Sequence, residues 1–461
     1  MLDRATRIRR FPGRASELRD EASQVDAAGQ VTTPPSLPAS YWLLLAFLLL
    51  LFANTPFVFP ALEVIHPAKL VAGATLLALL FEILGGKRKA VFPWPEGGWL
   101  IAFLAASALG CLTALWPGYA VEALSDLVKM ILVFFVLALS VNSERAFRGV
   151  LWVLVLGGIF PALGTLRNYL QGNMFEGRAS WVGIFSNPNE VAYCLVVLLP
   201  FAAYLASVSG WLARSVLLVI SLCYLGAIFV TFSRGGIIGI VAITALYAWR
   251  KRSVLLRVSL AVILIGGFLG AGKYWARNEG FSQLDNDVSL QQRMLTYEAG
   301  LKMFTDHPIL GVGLKCSVVA WPLYAPPGVY AKKALVTHNT LVQAFGETGL
   351  LGGLCFWLLT GSAIYRARKL ALYGSSTNRG IAIEVALWGF VICGMSGGYV
   401  MTWFPYILFG VGVAAGRISA IEYVPAKTPA KRRQRIRTTW NNERGYTTPG
   451  GSNAIAIQPA V

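Results

Sequence analysis

The sequence predicts an all-α polytopic membrane protein with about twelve transmembrane helices. The chain has 461 residues, of which 56% are hydrophobic and only 13% are charged, whereas a soluble core of that size needs a larger charged surface. Apolar runs of roughly 17 to 25 residues, the length that crosses a bilayer as a helix, recur along the chain. The predicted spans are 41–57, 68–84, 98–115, 120–140, 146–165, 188–207, 211–231, 235–249, 255–272, 339–365, 381–397 and 403–422.

The distribution of Lys and Arg predicts that both termini are cytoplasmic. Most of the 40 basic residues fall in segments on the same side as the N-terminus, including "GKRKA", "WRKRS" and "KRRQRIR". The net charge of +18 is therefore interpreted as a signal of topology. Basic residues dispersed among loops argue against nucleic-acid binding, and membrane lipids are the expected partners of the basic tails.

Both ends of the chain differ in composition from the apolar region between them. Residues 1–40 and 424–461 are rich in Arg, Ser, Thr, Pro and Gly with little apolar periodicity, so both are predicted to be disordered cytoplasmic tails. Residues 41–423 form the predicted transmembrane domain. Within it, residues 273–337 form one long loop, which the topology places on the periplasmic side.

The long loop is predicted to contain an amphipathic helix that lies over the membrane surface. In "QQRMLTYEAGLKMFTDHPILGVG", Met294, Tyr297, Leu301 and Phe304 recur at helical spacing. Pro308 and two glycines then end the helix.

Among the three histidines, His338 is the candidate for chemistry. It precedes Asn339 at a predicted helix start, where the helix dipole favours the neutral, proton-accepting imidazole; a His-Asn pair there is nevertheless more often a cap than a catalyst. Glu347 follows nine residues later, on the opposite face of an unbroken helix. Gly346 and Gly349 could break that helix and turn the carboxylate of Glu347 towards His338. A helix-terminal carboxylate in an interfacial turn explains Glu347 equally well.

Three arginines from separated parts of the chain, Arg178, Arg234 and Arg293, are predicted to reach the same membrane face. In "TFSRGG", Arg234 lies between Ser233 and Gly235, and the missing side chain at Gly235 would let a ligand approach the backbone N–H groups of a helix start. An interfacial anchor is the ordinary explanation for any one such arginine. Three guanidinium groups beside a helix N-terminus instead favour an oxygen-rich dianion such as a phosphate or pyrophosphate.

The sequence predicts neither a metal site nor a cofactor. The acidic run "DND" at 285–287 suggests the start of a calcium loop, but no spaced Gly and Glu complete that loop.

Four motifs carry a resemblance to a known family. "GRASWVGIFSNPNEVA", "TFSRGG", "QQRMLTYEAGLKMFTDHPILGVG" and "HNTLVQAFGETGLLG", in that order within residues 176–353, resemble the membrane glycan ligases and polymerases of bacteria. These are O-antigen ligase, the O-antigen polymerase group and the bacterial protein O-oligosaccharyltransferases. The resemblance implies a GT-C-like, metal-independent glycosyltransferase of the inner membrane, which takes its glycan from undecaprenyl pyrophosphate on the periplasmic face.

The resemblance also implies roles for particular residues. The family's motif histidine falls on His338, which is predicted to act in catalysis together with Glu347, and its arginines fall on Arg178, Arg234 and Arg293, predicted to bind pyrophosphate. Ser233, Gly235 and Asn339 are predicted to support them. The acceptor, a lipid or glycan hydroxyl such as that of lipid A-core, is left open, as is the choice among ligase, polymerase and protein glycosylation.

The competing class is a twelve-helix secondary transporter, which the helix count alone favours. Transporters place polar groups near the bilayer midplane in two related halves. Here the candidate groups cluster at one membrane face and no internal repeat is detectable. A scaffold for other envelope enzymes, the third class, leaves the arginines and His338 unexplained. The enzyme interpretation predicts that Arg178, Arg234, Arg293 and His338 converge on one cavity.

Overall fold

The computed structural model describes residues 37–62, 64–174, 177–252, 254, 257–258, 288–325, 337–372 and 377–422. The predicted tails 1–40 and 424–461 therefore lie outside the described residues, except for residues 37–40. Nearly all of the predicted span 255–272 lies outside them as well.

The described residues fold as helices joined by turns, which confirms the predicted all-α class. Short helical turns lie at Thr55–Val58, Pro60–Leu62 and Gly183–Phe185. The longer helices are α1 Ala39–Ala53, α2 Pro67–Leu84, α3 Glu96–Thr113, α4 Pro117–Ser140, α5 Glu144–Gly157, α6 Ile159–Leu170, α7 Pro188–Val208, α8 Trp211–Val230, α9 Arg234–Lys251, α10 Val288–Asp306, α11 Ser317–Tyr324, α12 Thr340–Leu372, α13 Thr377–Gly394 and α14 Trp403–Glu422.

Within the described residues, eight segments are long and apolar enough to cross a membrane, judged by length and composition. They are α2, α3, α4, α5 together with α6, α7, α8, α12 and α14, and α1 is apolar but has only 15 residues. Every predicted span other than 255–272 coincides with a helix. The protein is therefore a polytopic α-helical membrane protein.

The helices α9 and α13, which are not among these eight segments, are joined by an ion pair. Arg250 Nε of α9 donates to Glu384 Oε2 of α13 at 2.9 Å, and the Glu384 side chain is only 2% exposed. A charged pair of this kind lowers the mean hydropathy of both helices while remaining compatible with burial.

The helix α7 lies at the centre of the bundle. It packs against α5, α8, α9 and α13, and 72% of its span is buried. A helix that is apolar on all sides is suited to such a central position. Because α7 begins at Pro188, its N-terminal end carries the polar sequence "NPNE" into the interior of the protein.

The predicted helix in the long loop is present as α10. Met294 and Leu301, from its predicted apolar face, are 62% and 55% exposed at the protein surface, whereas Ala299 is buried. The helix packs closely against α12: a Cβ atom on Gly300 would lie 2.4 Å from Val342 Cγ1. Small residues therefore form the contact of α10 with α12.

Candidate functional site

One cavity, about 230 Å³ in volume, lies where the N-terminal ends of α7 and α12 meet the segment before α11 and the turn after α13. The two predicted catalytic residues, His338 and Glu347, both contribute to its wall. The cavity is lined by Asn187, Asn189, Glu190, Lys315, Ser317, Val318, His338, Gln343, Glu347, Gly397, Gly398, Tyr399 and Met401.

His338 is half-buried and lies two residues before α12. Burial, together with the positive charges of Arg293 and Arg178, lowers the pKa of His338 to about 4. The imidazole is therefore neutral at pH 7, as the position at a helix start predicts. The electrostatic effect of these two arginines also indicates that they lie near His338.

Asn339 caps α12. Its Oδ1 accepts hydrogen bonds from the backbone N–H groups of Leu341 at 2.8 Å and Val342 at 3.2 Å. This contact fixes the start of α12 and hence the position of the preceding His338. The supporting role predicted for Asn339 is consistent with this geometry.

Arg178 and Ser233 meet at one oxygen atom, Asn189 Oδ1. Arg178 Nη2 donates to it at 2.6 Å and Ser233 Oγ donates to it at 2.9 Å. Arg178 Nε also donates to the carbonyl oxygen of Thr231 at 2.9 Å. Ser233 is in turn the N-cap of α9, since its Oγ accepts from the Gly236 N–H at 3.2 Å. These bonds join the N-terminal ends of α7 and α9 to the segment that carries Arg178.

Arg293 is brought to the site by α10. One helical turn after it, Tyr297 Oη donates to the carbonyl oxygen of Met395 at 2.6 Å and lies 3.3 Å from the carbonyl oxygen of His338. The structure thus brings Arg178, Arg293 and His338 into one region.

Arg234 begins α9 directly after Ser233. Of the four residues predicted to converge on one cavity, only His338 lines it; Arg178, Arg234 and Arg293 are not among the lining residues. The adjacent Gly235 serves a helix contact, because a Cβ atom there would lie 1.9 Å from Ser396 Oγ. Its carbonyl oxygen also accepts from Cys393 Sγ at 3.7 Å. Pyrophosphate binding by Arg234, and ligand access at Gly235, remain predictions.

The carboxylate of Glu347 is buried and hydrogen-bonded within the protein. Its Oε2 accepts from the Lys315 N–H at 2.9 Å, and its Oε1 accepts from Ser317 Oγ at 2.5 Å. Gln343 Nε2 lies 3.3 Å from Oε1. These bonds hold the segment around Lys315 against α12, so the geometry favours a positioning role for Glu347. Its participation in the chemistry remains a prediction.

The predicted break in the helix that carries Glu347 is present, at Gly349. This residue has φ 62° and ψ −163°, and a Cβ atom on it would lie 2.3 Å from the carbonyl oxygen of Ile309. Leu350 N–H donates across this contact to the Pro308 carbonyl oxygen at 2.8 Å. The break follows Glu347 and does not separate it from His338; the two share a cavity because His338 precedes the helix.

Sequence reasoning missed Glu190 and Lys315. Glu190 belongs to the quoted motif "SNPNEVA", in which two asparagines and a proline predict a helix start, and this signal could have placed its carboxylate at the site. Lys315 follows the turn "GVGL" and has a φ of 62°, with its Nζ 5.7 Å from the centre of the Tyr119 ring. Nothing local in the sequence indicates that position.

Tyr399 was also missed. The predicted span 381–397 extends past the end of α13 into the turn that carries Tyr399, so this turn was not recognised. In the structure α13 ends at Gly394. A Cβ atom on Gly398 would lie 2.4 Å from the carbonyl oxygen of Thr337, so this glycine allows two backbones to meet beside His338. The pair "GG" before Tyr399 was the available signal.

Fold and site together define a polytopic α-helical membrane protein with a polar cavity at one end of its helix bundle. A protein-family model described as O-antigen ligase matches residues 194–357, which include Arg234, Arg293, His338 and Glu347. The resemblance to the O-antigen ligase family is thereby confirmed, and it supports a membrane enzyme of the O-antigen ligase or polymerase type. No curated protein matches the chain.

Replacing Gly349 by Ala should destabilise the protein. A side chain at this positive φ would collide with the Ile309 carbonyl group, at a cost of about 1–3 kcal/mol. Thermal unfolding in detergent measures the effect. Gly361→Ala in the same helix is the matched control, since a Cβ atom there meets nothing within 4 Å. Equal melting temperatures for the two variants would argue against this account of the break.

Proposed function

We propose that this protein is an inner-membrane glycosyltransferase of the O-antigen ligase family. It transfers a glycan from undecaprenyl pyrophosphate to an acceptor hydroxyl, that of lipid A-core or a related molecule, on the periplasmic face. The observation that carries the proposal is a neutral His338 in a polar cavity, under the positive potential of Arg178 and Arg293.

The donor half of the reaction needs a site for a diphosphate. Three helices, α7, α9 and α12, have their N-terminal ends at this site, and each such end carries a partial positive charge. Arg178 and Arg293 add full positive charges, and Arg234 at the start of α9 is the third candidate. Negative charge grows on the diphosphate as its bond to the anomeric carbon breaks, so fixed positive groups lower the barrier. Arginines here would supply the charge that a metal ion supplies in other glycosyltransferases.

The acceptor half of the reaction needs a base. As the acceptor oxygen attacks the anomeric carbon, the neutral His338 takes the hydroxyl proton, the C–O bond to the diphosphate breaks, and undecaprenyl pyrophosphate leaves with the bonding electrons. Glu347 positions the Lys315 segment along the cavity wall through its hydrogen bonds. Glu190 is a further carboxylate in the wall that a sugar hydroxyl could contact.

An O-antigen or exopolysaccharide polymerase and a protein O-oligosaccharyltransferase are the alternatives within the enzyme class. Both need the same donor site and differ in the acceptor. A secondary transporter is the alternative from another class, and the position of the cavity at helix ends argues against it.

Purified protein should convert an undecaprenyl-pyrophosphate oligosaccharide and a suitable acceptor into glycosylated acceptor and free undecaprenyl pyrophosphate. Products formed with lipid A-core, a second repeat unit and a serine-containing peptide can be identified by mass. The reaction should continue in EDTA, because the proposed site uses arginines. A reaction silenced by EDTA and restored by Mg²⁺ would overturn the metal-free mechanism, and failure with every acceptor would overturn the enzyme class.

His338→Ala should lower the rate of transfer by about 10²- to 10⁴-fold while leaving donor binding nearly intact, because a general base acts on the acceptor. Turnover and lipid-donor binding are measured in parallel. A loss of donor binding as large as the loss of rate would contradict this role.

The pH profile gives a second readout for His338. A lowered pKa means that the imidazole stays neutral down to about pH 4, so the acid limb of kcat/KM should lie near pH 4 and not near the ordinary value of 6.5. Bound diphosphate offsets the two arginine charges, so the acid limb of kcat in the donor complex should lie at higher pH. If the acid limb is absent from the pH profile of His338→Ala, the limb belongs to His338. Identical pH profiles in the two proteins would contradict this assignment.

Arg234→Lys tests whether Arg234 grips a diphosphate or only anchors the helix. Lysine replaces an interfacial anchor well, but it loses the planar fork that binds two oxygens. Loss of one charge-assisted hydrogen bond costs about 1.5–3 kcal/mol, or roughly a ten- to hundredfold drop in kcat/KM. Arg214→Lys is the matched control, since Arg214 is exposed and its Nε donates to the Ala206 carbonyl oxygen at 2.9 Å, away from the cavity. A folded Arg234→Lys protein with wild-type transfer would return Arg234 to the anchor role.

A further inference from the structure

A second cavity, about 480 Å³ in volume, lies between α1 and α5. It is at the opposite end of the bundle from the candidate site. Tyr204 Oη donates to Glu144 Oε1 in the cavity wall at 2.5 Å, and Tyr204 follows Asn189 by 15 residues along α7, which corresponds to about 22 Å. The second cavity is therefore separate from the site proposed for glycan transfer, and the role inferred for it does not rest on the proposed function.

The wall of this cavity is cationic. Glu144 and two arginines, Arg145 and Arg148, contribute to it. The Glu144 carboxylate is already engaged, because it accepts from Arg148 Nε at 2.8 Å and forms an ion pair with Arg379. Arg145 is exposed and makes no hydrogen bond or ion pair with the part of the chain that the structure describes. Arg148 and Arg379 pair with the one carboxylate, and Arg145 adds a further positive charge to the same wall, which leaves an excess of positive charge for a ligand.

The rest of the wall is aromatic. Tyr41, Trp42 and Trp152 line the cavity, and Trp42 is 57% exposed. Tyr41 is fixed, since its Oη donates to the Ala146 carbonyl oxygen at 3.1 Å. The absence of a side chain at Gly149 leaves room for that ring, because a Cβ atom there would lie 2.0 Å from Tyr41 Oη. Tryptophan beside arginine at a helix end is typical of the level at which lipid headgroups meet acyl chains.

We propose that this cavity binds an anionic phospholipid. The phosphate diester would bind Arg145 and Arg148, and an acyl chain would lie along Trp42 and Trp152. Basic pockets between membrane helices suit such headgroups, and about 480 Å³ falls in the size range of ligand pockets. The aromatic wall distinguishes a lipid from free phosphate, which would gain nothing from apolar contact.

The test measures how well the full-length protein retains added lipid, and native mass spectrometry detects the bound lipid. Wild-type protein should retain phosphatidylglycerol in preference to phosphatidylcholine. Arg145→Gln should weaken retention of phosphatidylglycerol about fivefold, the effect of one cation near a lipid phosphate, and leave phosphatidylcholine unchanged. Arg214→Gln is the control at the same end of the bundle and should change neither.

Two further measurements decide between sources of the phosphate. Trp42→Ala, which alters an exposed side chain, should weaken retention of the lipid if the acyl chain lies along it. Displacement of phosphatidylglycerol by millimolar inorganic phosphate would overturn the lipid assignment in favour of a free anion. Equal retention of both lipids by wild type, or no effect of Arg145→Gln in a protein with unchanged melting temperature, would overturn the site itself.

Discussion

The hydrogen bonds to Asn189 Oδ1 hold together the parts of the chain on which the candidate site depends. Arg178 and Ser233 donate to this oxygen from segments 11 and 44 residues away in sequence. Asn189 is 8% exposed, so the two bonds lie where little water competes for them. Removal of the amide would take away the acceptor of the buried Ser233 hydroxyl, and an unsatisfied buried donor costs more than the bond itself contributes.

The helix starts near Asn189 contribute to the positive potential of the site. Three helix starts, capped by Asn187, Ser233 and Asn339, lie in this region, and the caps are all neutral. A neutral cap satisfies the orphan N–H groups without cancelling the positive end of the helix dipole, as an aspartate would. Burial and the charges of Arg293 and Arg178 also disfavour the imidazolium, which lowers the pKa of His338.

The sequence was informative wherever a single physical rule dominates. Spans could be predicted because bilayer thickness sets the length of an apolar run. His338, which lies in the cavity wall, could be singled out because a polar side chain is rare in an apolar chain. The residues by which α10 packs against α12 could not be predicted, since the close contact at Gly300 does not follow from apolar periodicity.

Glu190, Lys315 and Tyr399 escaped prediction for a related reason. They lie at a helix start or in turns whose mutual position depends on contacts between distant backbones, such as that of Gly398 with Thr337. The convergence of His338 and Glu347 was expected from a helix break between them. The two residues share a cavity because His338 precedes α12. The break at Gly349 instead allows the Ile309 carbonyl group to approach the backbone of α12 closely.

The two ends of the bundle are stabilised by different interactions. Long-range ion pairs lie at the end remote from the candidate site, where Arg366 meets Glu96, Arg250 meets Glu384 and Arg379 meets Glu144. Each joins two helices through a carboxylate, which is buried for Glu96 and Glu384 and half-buried for Glu144. At the site, helix ends are joined by hydrogen bonds to the Asn189 amide and the Glu347 carboxylate and by close contacts at glycine. At the candidate site, the neutral oxygens of Asn189 and Thr231 position the Arg178 guanidinium. At the opposite end of the bundle, carboxylates position the guanidinium groups of Arg366, Arg250 and Arg379.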